Sequence, residues 1–227
     1  MELRQDVSSE ELAKREFFYL PLLDRRGKKL AIHRLMVQQP GFYVSVLCVV
    51  FGRASGEATP PTDQERHVAT ASYRLLNDLA IVPSQSGDEV DFDSLIAWCL
   101  EVRRLSAIED RTAIANQYIG HVLAHAPRSS KDGAWPHEAI RAAIDQLQSD
   151  EIERGVTIER HNMRGAYSKA IGEGGVQERA LAAESRGWAG TMPDYPRTAA
   201  MLFRIADDWE KQGTAEDLRA EIDRLRR

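Results

Sequence analysis

The sequence predicts an all-α protein of nine or ten helices, in one compact or solenoid-like array without significant sheet. Three observations predict it. Apolar residues recur at three- and four-residue spacings along most of the 227 residues. Helix-start signals precede those patterns: Ser8 or Ser9, Thr62 with Glu65 three residues on, and Asp91 or Asp93. Only residues 42–51 carry the β-branched density of a strand. They have no second candidate to pair with, and a lone strand leaves its backbone groups unsatisfied.

The first helix spans about 8–20, with Glu10 and Glu11 in its first turn, and Pro21 stops it. DRRGKK at 24–29 reads as a charged turn. A short helix at about 30–38 carries Leu30, Leu35 and Met36. GFYVSVLCVVFG follows Pro40. It is read as helix because Pro40 suits a first turn and Gly52 can end it. Being apolar all round, it is expected to be the most buried helix. After the loop RASGEATPP at 53–61, Thr62 caps a helix to about 79. Its inner stripe is Val68, Ser72, Leu75, Leu76 and Leu79.

PSQSGDEVD forms the next loop. The helix beyond it bears Leu95, Trp98, Cys99, Val102 and Leu105, and another at about 110–125 bears Ile114, Tyr118, Ile119, Val122 and Leu123. Pro136 is read as the first residue of a helix with Ile140, Ala143, Ile144, Leu147 and Ile152. A glycine-rich break at 161–181, HNMRGAYSKAIGEGGVQERAL, interrupts the pattern. Helix returns at about 175–190, and MPDYP punctuates before a helix at 197–211. Gly213 is read as its stop, and Thr214 as the cap of a last, highly charged helix with Leu218, Ile222 and Leu225. The chain reads as a single domain, 1–227, with soft boundaries near 53–61 or 161–175 and no fixed-period repeat.

Thirty Lys and Arg against 35 Asp and Glu give a net charge of −5. No basic field is present to hold nucleic acid or an anionic membrane. The longest apolar run, about ten residues, is half what a membrane helix needs. The N-terminal MELRQDVSSEEL lacks the apolar core of a signal peptide. Cys48 and Cys99 fall in apolar patterns and read as buried free thiols. A cytoplasmic location is expected.

Four places invite a functional reading. In the break, Gly174 and Gly175 precede a helix start whose N–H groups favour an anion. Asn162, Arg164, Glu173 and Gln177 are candidate polar contacts, with Lys169 assisting. No Gly-Lys-Ser/Thr follows, and Gln177 stands where a dinucleotide motif needs glycine, so a helix connector is the competing reading. His121 and His125, four apart, share one helix face and suit a metal, with His137 or Glu138 as a third ligand. Val122 stands where a zinc protease needs its glutamate. Trp135, in a loop, can anchor a partner or pack back on its own helix. The acidic pairs Asp150/Glu151 and Asp207/Asp208 read as solvated faces. Ser168 lacks a nucleophile elbow. No cofactor is expected.

Several phrases together carry a resemblance: SSEELAKREFFYLPLLD, the Pro-Gly-Phe-Tyr start, IGHVLAHAP, DGAWPHEAIR, NMRGAYSKAIGEGGVQERALA and YPRTAAMLFRIADDWE. They resemble the C-terminal region of large, uncharacterised bacterial proteins, over nearly the whole chain. The resemblance implies a helical module at the end of a longer polypeptide and brings no catalytic residue. The expectation is an interaction or scaffold domain without chemistry of its own. Its partner is another protein, the rest of a larger polypeptide or a second copy. The alternatives are a ligand- or phosphate-binding domain or enzyme using residues 161–177, and a metal site at His121 and His125.

Overall fold

The computed structural model describes residues 8–19, 30–56 and 60–226. Pro21, the charged turn at 24–29 and residues 57–59 of the expected loop lie outside the described residues. Helix α1 (Ser9–Tyr19) packs on α2 (Ala31–Gln38). No side chain of its own caps α2. Instead Glu16 of α1 reaches across, and its carboxylate accepts from the Ile32 N–H at 2.8 Å. This satisfies one of the donors that every helix start leaves open.

The strand-like run forms α3 (Pro40–Val50), with Pro40 in its first turn. Tyr43, Val44, Val46 and Leu47 are buried, while Val49 is 47% exposed, so one edge of this apolar helix meets solvent. Both flanking helices start where their caps specify. In α4 (Asp63–Asn77) the Thr62 hydroxyl and the Glu65 carboxylate form a reciprocal capping box. In α5 (Phe92–Ile108), Asp91 accepts from the Ser94 N–H at 2.9 Å. Between them lies a two-residue hairpin, β1 (Gln85–Ser86) paired antiparallel with β2 (Glu89–Val90). It is the sole sheet among the described residues.

Helix α6 (Thr112–Leu123) crosses α8 (Asp150–Asn162) at two glycines. A Cβ at Gly120 would overlap the Ile152 carbonyl oxygen, and one at Gly155 would overlap that of Gln117. The backbones touch there, and the missing side chains are what allow it.

Three boundaries differ from the sequence expectation. Pro136 does not open a helix. His137 caps α7 (Glu138–Leu147), its Nδ1 accepting from the Ala139 N–H at 3.2 Å. That helix does not run on to Ile152. Gln148 takes a left-handed conformation, φ +47°, and Ser149 caps α8. Conversely, Gly213 stops nothing. Helix α9 (Val176–Gly190) folds back on α10 (Pro196–Leu225), a single 30-residue helix. Thr214 is not a cap, because its hydroxyl donates back to the Glu210 carbonyl at 3.0 Å. A glycine inside a helix costs about 1 kcal/mol. It is tolerated here because Gly213 is buried where Gly175 presses on α10. One missed division and one false one leave ten helices among the described residues. One hydrophobic core cluster runs from Ala13 to Trp209. No helix among the described residues is long and apolar enough to cross a membrane.

Candidate functional site

Helix α8 extends to Asn162, so the break is shorter than the sequence suggested and occupies 163–175. Its polar groups turn inward. Glu178, on the first turn of α9, is fully buried and holds two cations: Arg164 at 2.7 Å and Lys169 at 2.8 Å. Burial pushes its pKa up, and the hydrogen bonds from Lys169 and Arg164 outweigh that, so the carboxyl stays below the usual range. The Lys169 ammonium also donates to the Gly174 carbonyl at 2.9 Å and pairs with Glu216 of α10 at 3.2 Å. Gln177 donates to the Ser168 carbonyl and to Glu173, whose other oxygen accepts from the Ala170 N–H. Asn162 donates to Glu159 at 3.2 Å.

The helix start expected to attract an anion has one from its own chain. Asp217 of α10 accepts from the Gly175 N–H at 2.8 Å and pairs with Arg179 at 2.7 Å. Those two hydrogen bonds, Arg179's the larger, hold the Asp217 carboxyl at about 2. Gly174, at φ +64°, and Gly175, against Gly213, let the backbone approach α10 this closely. The glycines thus serve a seam between helices, and Glu178, Asp217 and Glu216 complete it. No local motif marks those three, since 9 to 47 residues separate them from the arginines and lysine they neutralise.

His121 of α6 and His125, in the turn just after it, face Glu159 of α8, at 3.3 and 3.2 Å. Burial pushes the Glu159 pKa up. Hydrogen bonds from His121, His125 and Asn162 outweigh it and hold the carboxyl at about 2. His137 and Glu138, the suggested third ligands, sit elsewhere, with Glu89 and Lys131. No group of three or more His, Cys, Asp or Glu among the described residues is placed to hold a metal. The acidic pairs are engaged in the surface network: Asp150 with Arg197, Glu151 with Ser149, Asp207 with Arg186 and Asp208 with Lys211. Both cysteines are free. Cys99 is buried, and burial pushes its thiol to about 12, whereas Cys48 is only half-buried.

Trp135 is 3% exposed, and its indole N–H donates to the Ala126 carbonyl at 3.0 Å. Its neighbours lie on α8 and α9 rather than on α7. The Arg160 guanidinium lies 4.3 Å over its ring, and Trp188 has its ring centre 5.9 Å away. Trp188 also receives Arg128 at 5.1 Å, and Trp209 of α10 receives Arg164 at 5.2 Å and stacks on His161. Together these three tryptophans wall a cavity of about 210 Å³, with Arg160, Arg164, Leu181, Glu184, Leu202 and Ile205 completing it. A shallower depression shares Arg164, Leu181 and Glu184 and adds Tyr167 and Gln177. The sequence singles out Trp135 and Arg164 but offers nothing that connects them. The tryptophans at 135, 188 and 209 meet only because α8, α9 and α10 converge. Comparison of the chain with known protein families, with curated proteins and with solved structures finds no match.

Proposed function

We propose that the chain is a helical interaction module, without chemistry of its own, that docks through the outward face of the last third of α10. The observation that carries this is a row of unpartnered apolar side chains, with Leu218 60%, Ile222 39% and Leu225 79% exposed. Their spacing of four then three is that of a coiled-coil seam. In that register Ile222 takes position a, and Leu218 and Leu225 take position d. This is the arrangement that favours two parallel strands. Glu221 then falls at g and Arg226 at e, so a parallel second copy sets opposite charges beside the seam. A second copy of this chain is therefore the occupant. The resemblance to C-terminal regions of larger bacterial proteins supports the same reading, since such a module would bring two long polypeptides together.

Six large apolar side chains, each contributing about 1.5–3 kcal/mol when fully buried, must offset the loss of translational and rotational freedom. All three side chains are already partly covered in the monomer, so the surplus is small and a weak dimer is expected, with a dissociation constant on the order of 100 µM. Sedimentation equilibrium tests it. Concentration-dependent dimerisation is expected, abolished by Leu218→Glu with Leu225→Glu. A monomer across that range, or dimerisation unaffected by the double substitution, overturns the reading. Turnover by the isolated chain in a broad hydrolase screen would overturn the claim that it lacks chemistry.

A further inference from the structure

Arg160 is the odd group of the tryptophan cavity. It makes no ion pair among the described residues, and its guanidinium bonds only the Met163 sulfur, at 4.0 Å. Burial lowers its pKa, Glu184 opposes that and Arg128 adds to it. The charge is thus held chiefly by the faces of Trp135 and Trp188. A carboxylate pairs with guanidinium through two parallel charge-assisted hydrogen bonds, roughly twice as strong as neutral ones. A second guanidinium lines the same space. Arg164 has a side chain only 10% exposed, and its Nη1 is buried with no hydrogen-bond partner among the described residues. The one acid of the lining, Glu184, is already taken by Arg128 at 2.7 Å. The space therefore has two cations, one of them without a carboxylate partner, and no free anion.

We propose that this cavity binds a small planar organic anion. Its carboxylate would lie on Arg160 and its ring against the tryptophan faces and Leu181, Leu202 and Ile205. Size agrees: a cavity of about 150 Å³ accepts benzene, and about 210 Å³ leaves room for a ring with its carboxylate. Charge decides against the opposite class. Aromatic cages hold quaternary ammonium groups, but here a cation would meet Arg160 and Arg164. This site stands independently of the α10 seam, which lies on another part of that helix.

The molecule supplies its own reporter. Three of its four tryptophans line the cavity, while Trp98 packs on Tyr43 in the α3–α5 core. Benzoate titrated into the full chain should shift the indole N–H resonances of Trp135, Trp188 and Trp209 saturably and leave that of Trp98 in place. Benzylamine, the same ring with the opposite charge, should shift none. Arg160→Gln should weaken benzoate about tenfold, the loss of one charge-assisted pair. Should that variant misfold, the benzoate–benzylamine contrast on the native chain still decides. No saturable shift by about 10 mM benzoate, a dissociation constant too weak for a built site, would overturn the proposal. So would an equal response to benzylamine, equal movement of Trp98, or unchanged benzoate affinity in a folded Arg160→Gln protein.

Discussion

At Glu159 a carboxylate is buried to 9% exposure, yet it stays ionised because His121, His125 and Asn162 bond it. Its folded pKa of about 2 lies below the unfolded value of about 4.3. The stabilisation is thus complete above the unfolded value and is lost as pH falls through the folded one. At about 1.4 kcal/mol per unit, about 3 kcal/mol is at stake. Urea unfolding between pH 5 and about 2 should show this acid loss alongside that of Asp132, Glu138 and Asp217, and Glu159→Gln should remove its own share of the slope while lowering stability at neutral pH. An unchanged acid limb in the variant would refute the assignment. The sequence predicts both histidines on one helix face; they do point the same way, but α6 ends at Leu123 and His125 sits in the turn beyond it. What it could not supply was the group they face. Glu159 lies 34 residues beyond His125 on another helix, and only the α6–α8 crossing brings them together.

Among the helices, the legible boundaries were those written in local chemistry. Thr62 with Glu65 and Asp91 with Ser94 satisfy N–H groups three residues away, so sequence distance and spatial distance coincide. Gly213 was misread for the complementary reason. A glycine near a polar turn looks like a stop, and its burial against Gly175 depends on a residue 38 positions earlier. Ser149 was a legible cap that the apolar run through Ile152 concealed. Gly120 provides the test at this scale. Alanine there would gain about 1 kcal/mol of helix propensity. However, its Cβ would overlap the Ile152 backbone, and forcing helices apart costs more than that, typically 1–3 kcal/mol and occasionally above. Gly120→Ala should therefore destabilise the protein by about 1–2 kcal/mol net in denaturant unfolding. A stabilised variant would mean that the α6–α8 contact is looser than described.

Across the whole molecule, α10 acts as a strap. Its first half supplies Leu202, Ile205 and Trp209 to the core and to the tryptophan cavity. Its last third supplies Glu216 and Asp217 to the glycine-rich break and leaves Leu218, Ile222 and Leu225 outward. Ending the chain after Gly213 would remove the acceptor of the Gly175 N–H and one partner of Lys169. Hydrogen exchange should then quicken selectively in 163–178, with α5 and α6 unchanged, because local opening tracks the contacts that are lost. Uniform protection after truncation would show that Asp217 and Glu216 do not hold the break.

The all-α class is written in local sequence chemistry. Helical periodicity and caps act over three or four residues, and hydrophobic burial needs only the pattern, so the all-α fold and most helix starts could be read from one chain. The sequence also points to the break, which the structure narrows from 161–181 to 163–175. What the break does depends on how distant helices pack around it. Its glycines could have cradled a phosphate, but the anion beside Gly175 is Asp217, 42 residues away. The same is true of the tryptophan cavity, whose walls come from residues 135, 188 and 209. Charges and rings that pair across helices leave no spacing rule in the sequence, because the packing of those helices sets their separation.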